Sequence, residues 1–126
     1  SPQPVSGFPF VPGMNSAAAC LTMVANHLQN PVQLDWVQRQ LRGQRPTNVV
    51  DAAEKLGLQL RRIETTWQNA RLLTFPALML WGDTEEPHWV VAYAVRGDRL
   101  IISDPHDPMM TPQAVHRSMV EQLWDR

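Results

Sequence analysis

Three side chains far apart in the chain have the chemistry of a hydrolytic centre. His88 opens an apolar run, Asp104 closes the next one, and Ser16 stands at the head of a stretch of small residues. A carboxylate bonded to one ring nitrogen of an imidazole fixes the tautomer and orientation that a general base needs. Whether His88 and Asp104 can meet depends on the turn at Arg96-Gly97-Asp98 between their strands. A two-residue Gly97-Asp98 loop pairs Arg96 with Arg99 and Asp104 with Val91, on the face opposite His88. A three-residue loop at 96–98 pairs Asp104 with Val90 and makes it a diagonal neighbour of His88. The plainer alternative is a solvent-exposed strand-end histidine and a simple Asp-Pro turn.

Ser16 is the candidate nucleophile position, because the positive end of a helix dipole favours an anion such as a thiolate. A hydroxyl gains far less there: it stays protonated at neutral pH and needs strong base assistance. Capping the helix would be a sufficient role for Ser16, with Asn15 as the other candidate cap. Cys20 lies four residues on, about 40° around the helix and one turn deeper. Flanked by Ala19 and Leu21, it reads as a buried structural thiol. Asp104-Pro105-His106-Asp107 offers metal-ligand types, but prolines stiffen the loop and no second cluster completes a four-ligand site. No metal and no cofactor are expected. Trp81, Trp89 and Trp124 could line a peptide groove with Tyr93, or simply pack in the core. Glu85-Glu86 reads as a solvated turn in the loop from Gly82 to Pro87, and His27 and His116 as surface residues.

The elements that must position these groups follow from apolar spacing and turn residues. Residues 1–14, with four prolines and two glycines, read as an extended arm whose Phe8, Phe10 and Val11 pack onto the domain. Leu21, Val24, Ala25 and Leu28 have the three- and four-residue spacing of a helix that ends at Asn30-Pro31. A short second helix is expected from about Asp35 to Gly43, and a third from Thr47 to Leu56, closed by Gly57. Leu58 to Ile63 alternates as a half-buried strand does, while Ala77–Trp81, Trp89–Val95 and Leu100–Ile102 read as strands covered on both faces. Thr111-Pro112 opens a last helix with Val115, Met119, Val120 and Leu123 at helical spacing. Helices first and an antiparallel sheet second make the fold class α+β.

Composition limits what such a domain can bind. A chain of 126 residues has room for one core, so 1–126 reads as a single domain. Eleven basic against twelve acidic side chains give a net charge of -1, which argues against nucleic acid as a partner. The single cysteine can form no internal disulfide and fits a cytoplasmic setting. The longest apolar run, Trp89 to Val95, is seven residues, far short of the roughly 20 a spanning helix needs. The N-terminus shows no secretory signal pattern.

Taken in order, several segments resemble the landmarks of one family. They are Asn15-Ser16-Ala17-Ala18-Ala19-Cys20-Leu21, Ala52-Ala53-Glu54-Lys55-Leu56-Gly57-Leu58, Leu73-x-Phe75-Pro76-Ala77-Leu78, His88-Trp89-Val90-Val91 and Ile101-Ile102-Ser103-Asp104-Pro105. Together they look like the bacteriocin-processing (double-glycine leader) cysteine peptidase, a papain-like domain at the N-terminus of peptide-exporting and type I secretion ABC transporters. The resemblance covers about residues 10–124. It implies a papain-like fold with N-terminal helices packed on a central antiparallel sheet. It also implies His88 as general base and Asp104 as the residue that orients it.

The departures from the family are at the nucleophile. Its cysteine aligns with Ser16, the following glycine with Ala17, and its oxyanion-hole glutamine falls near Phe10, which has no amide. Losing an oxyanion donor costs roughly 10² to 10³ in rate. The resemblance therefore implies a degenerate, non-proteolytic domain that binds a peptide or unfolded protein for export. Its partners would be the membrane and nucleotide-binding domains of a parent transporter, at the cytoplasmic face of the bacterial plasma membrane. The alternative is an active cysteine peptidase cleaving Gly-Gly leader peptides, its nucleophile replaced by Ser16. A serine hydrolase built on Ser16, His88 and Asp104 is a third reading. The family's usual last strand would lie beyond Arg126.

Overall fold

Small side chains decide how the first helix packs. α1 (Ser16–His27) buries every residue from Ser16 to Ala25, and a helix apolar on all sides belongs in a core. The described residues of the computed structural model are 15–43, 45–61, 63, 65–82, 88–107 and 112–124. The arm at 1–14, with Phe10, and the Glu85-Glu86 turn lie outside them. Asn15, not Ser16, caps α1: its side chain accepts the N–H of Ala18 at 3.1 Å. At the other end Asn30 N donates to Ala25 O at 2.8 Å and Gln29 N to Asn26 O at 3.0 Å. That double closure needs a left-handed residue, and Gln29 supplies it with φ 61°.

α2 (Leu34–Gln40) and α3 (Pro46–Lys55) pack on α1 through Val37, Val49, Ala52 and Ala53. Pro46 fits the first turn of α3, where its missing N–H has no intrahelical partner anyway. Gly57, at φ 80°, closes α3 as expected, with Gly57 N bonded to Glu54 O and Leu58 N to Ala53 O.

The sheet comprises β1 (Ala77–Trp81), β2 (His88–Arg96), β3 (Arg99–Ser103) and β4 (Gln113–His116), all antiparallel and in chain order. Its two faces bury different cores. Trp89 and Val91 face α1 and α3, with Tyr93, Leu78 and Leu80 packed beside them. Val90, Ala92, Met79, Leu100 and Ile102 pack with Trp67 of α4 (Trp67–Ala70) and Val120 of α5 (Arg117–Leu123). The expected α+β class, with helices against a central antiparallel sheet, is the observed one.

Three expectations need correction. Leu58 and Leu60 do alternate inward, but no strand forms among the described residues of 58–63; the two leucines pack on the helical core without a ladder partner. The last helix begins at Arg117 rather than Thr111, because Val115 is in β4 opposite Leu100. Here β-branched Val115 packs against the sheet, and Met119, at the same helical spacing, is 47% exposed. The four aromatics also do not form one groove. Trp89 and Tyr93 are on the α1 face and Trp81 and Trp124 on the other, and of the four only Trp89 and Trp124 line a common cavity, which runs along β1.

Candidate active site

The hairpin between β2 and β3 decides which groups meet. Arg96 pairs with Arg99, so the loop is the two-residue Gly97-Asp98 turn. Gly97 holds φ 60°, the first central position of a type II′ turn, where glycine is favoured. A regular ladder from that turn would set Asp104 across from Val91 and away from His88. The register instead shifts between Ala92 and Ala94: Ala94 pairs with Ile101, Ala92 with Ile102 and Val91 with Ser103. Tyr93 is the extra residue of a β-bulge. Continued by one step, the shifted register places Asp104 across from Val90, on the face of His88. Neither loop alternative alone produces this: the short loop is observed, and the bulge has the effect expected of the longer one.

His88 Nε2 lies 3.1 Å from Asp104 Oδ2 and 3.0 Å from Oδ1. The two side chains are 10% and 18% exposed, so the pair sits in a partly dry setting where charge-assisted bonds gain strength. Asp104 Oδ1 also accepts the backbone N–H of His106 at 2.9 Å. The His106 ring stacks on His88, with centroids 4.2 Å apart and planes 12° from parallel, and Trp81 meets His88 edge-on at 6.4 Å.

Ser16 reaches the same end of the sheet through a backbone bond. Its Oγ accepts the N–H of Trp89, the neighbour of His88, at 3.1 Å. β3 has ended by this level of β2, and the first turn of α1 accepts the N–H instead. Ser16 is thus beside the His88–Asp104 pair and only 2% exposed. Ala17 is fully buried next to it.

Beneath the pair is a second group of polar atoms. Burial pushes the Cys20 thiol well above its usual range, and the Asp104 charge pushes it further. A thiol held in its protonated form is a poor nucleophile, as its expected structural role requires. Burial also raises the Tyr93 phenol, Cys20 adds to the rise, and the nearby Ser103 hydroxyl lowers it. Despite that proximity, Tyr93 Oη and Ser103 Oγ make no hydrogen bond among the described residues.

A carboxylate on Nε2 can hold the His88 ring and stabilise the imidazolium that forms when the ring takes up a proton. Among the described residues no group of three His, Cys, Asp or Glu side chains could hold a metal ion. His106 was visible in sequence only as part of the Asp-Pro-His-Asp loop. The available signal was the Asp-Pro pair, because an Asp side chain readily bonds the backbone two residues on. His27 and His116 are exposed; His116 caps α5 through Nδ1, which accepts the N–H of Ser118 at 3.1 Å.

No curated protein matches the sequence. The fold is similar to the peptidase domain of Streptococcus ComA, a bi-functional ABC transporter involved in a quorum-sensing pathway. That likeness has TM-score 0.82 and 23% identity, covering 95% of this chain and 92% of that one. A double glycine motif protease from an AMS/PCAT transporter, solved with its leader peptide, has TM-score 0.79 and 20% identity, over 93% of this chain and 83% of that one. The peptidase domain of Streptococcus mutans ComA has TM-score 0.66 and 23% identity, over 92% and 89%. At these identities the likeness establishes a shared papain-like fold. The profile of the peptidase C39 family matches residues 11–126, and the chain therefore belongs to that family.

Proposed function

We propose that this domain binds a peptide or unfolded polypeptide for export without cutting it, as the peptidase-like part of an ABC transporter. The observation that carries this reading is the hydroxyl at position 16. Ser16 Oγ is buried and already accepts the Trp89 N–H, at the position to which the sequence resemblance assigns the family's thiol. Attack by a serine requires a base to strip a proton that a thiol would release far more readily. The transporter context is supported by the solved relatives, which are domains of ABC transporters. Such a domain would work at the cytoplasmic face of a bacterial membrane. Among the described residues no helix is long and apolar enough to cross a membrane.

The second reading is a cysteine peptidase for Gly-Gly leader peptides whose nucleophile has been exchanged for serine. The paired His88 and Asp104 favour it, because binding alone needs neither. A single substitution separates the two. The chain and its Ser16→Cys variant are incubated with a leader peptide ending in Gly-Gly, and binding and cleavage are followed together. Binding by both without cleavage supports the non-proteolytic domain. Cleavage by Ser16→Cys alone supports the exchanged peptidase, and cleavage by the unaltered chain would sink both in favour of a serine hydrolase.

A further inference from the structure

The Asp104 bond leaves one motion of the His88 ring weakly held. Nε2 lies nearer than Nδ1 to the line about which the ring turns on Cβ–Cγ, so fixing it constrains that rotation less than a bond at Nδ1 would. This terminal torsion is intrinsically broad. Nδ1 lies farther from the same line and sweeps through a larger arc. A flat group pressed against the ring face resists the motion directly.

His106 is that group. Its ring is 4.2 Å from the His88 ring and within 12° of parallel. Its place is set by a tight loop: Asp104 Oδ1 accepts His106 N at 2.9 Å, Asp104 O accepts Asp107 N at 3.0 Å, and Pro105 is fully buried. The turn that presents the Asp104 carboxylate to His88 also lays His106 over the ring. We propose that His106 is a positioning residue: it fixes the rotation of the His88 imidazole so that Nε2 stays on Asp104.

This inference does not depend on whether the domain cuts, because the orientation of His88 can be read without any substrate. The chain is labelled with ¹⁵N-histidine, and the ring nitrogens of His88 are followed by NMR in the unaltered protein, in His106→Ala and in His106→Phe. In parallel, the three are placed on a Ser16→Cys background and their alkylation by iodoacetamide is measured from pH 5 to 9. The Ser16 protein serves as the blank for Cys20.

The unaltered chain is expected to show one His88 tautomer with its proton on Nε2. His106→Ala should mix ring states and slow alkylation on the acid side about tenfold, as expected for a displaced catalytic group. His106→Phe, which keeps a flat ring and the backbone N–H, should return both readings to within about threefold of the parent. An unchanged His88 spectrum in His106→Ala overturns the proposal, as does a His106→Phe variant that behaves like His106→Ala. Where the introduced thiol shows no acid limb in any background, the ring-nitrogen signals decide alone. Should His106→Ala fail to fold, His106→Gln replaces it under the same two criteria.

Discussion

Cys20 and Tyr93 link the site to alkaline stability. Folding raises the proton affinity of both groups, by burial first and then by the charges of Asp104 and Cys20 respectively. The unfolded chain therefore releases these protons first. Their contribution to stability is whole below the unfolded thiol value of about 8.5 and declines as pH rises beyond it, with the phenol joining above about 10. Urea midpoints should thus fall between pH 7.5 and pH 10, and Cys20→Ala should flatten the lower part of that fall. Tyr93→Phe gives the complementary test. A buried hydroxyl without a hydrogen bond costs free energy, so its removal should leave stability unchanged or raise it by about 1 kcal/mol in urea unfolding. A loss above about 1 kcal/mol would mean that Tyr93 Oη has a partner in solution.

Among the described residues three hold a positive φ: Gly57 and Gly97, which are suited to it, and Gln29, which is not. Gln29 ends α1 at φ 61°, a conformation that side chains with a Cβ resist by about 1–2 kcal/mol. Gln29→Gly should therefore stabilise the domain by roughly 1 kcal/mol, read as a rise in thermal midpoint. Gly97→Ala should destabilise it by about 1–3 kcal/mol, because φ 60° at the first central position of the β2–β3 turn strongly favours glycine. These elements also show what was legible beforehand. α1, α3 and the strands β1, β2 and β3 could be read because apolar spacing and a terminal Asn or Gly coincided, although β1 is an edge strand and not part of the sheet's centre. β4 could not, because Val115 fits a helical spacing with Met119 as well as it fits a strand. The placement of Asp104 beside His88 was only one of two options, since the bulge that decides it carries no glycine or other marker in Ala92-Tyr93-Ala94. His106 was hidden for a related reason: which ring it would cover depended on where Asp104 came to rest.

At the scale of the whole molecule, one sheet divides the apolar interior into two packed layers. Trp89 reports on the layer under α1, and Trp67 and Trp81 on the layer under α5. Because the sheet belongs to both, the layers should unfold together. Tryptophan fluorescence and far-ultraviolet circular dichroism should give one urea midpoint, and separated midpoints would show that one layer melts alone. The near balance of eleven basic and twelve acidic side chains bears on partners. Association with an uncharged apolar peptide should change by less than about twofold between 50 and 300 mM salt, measured by titration calorimetry.

The bulge at Tyr93 has a consequence for how this hairpin tolerates changes of length. Between the dyad and the Arg96–Arg99 closure, β2 contains one residue more than β3. Excising that surplus residue straightens the strand yet preserves which rungs face one another, so the imidazole and carboxylate keep their partnership. Extra sequence spliced between Gly97 and Asp98 lies outside the final rung and is equally neutral to it. Length can thus be traded at the tip or at the bulge in β2, whereas a single-residue deletion within β3 forces an odd count and turns the carboxylate to the wrong side.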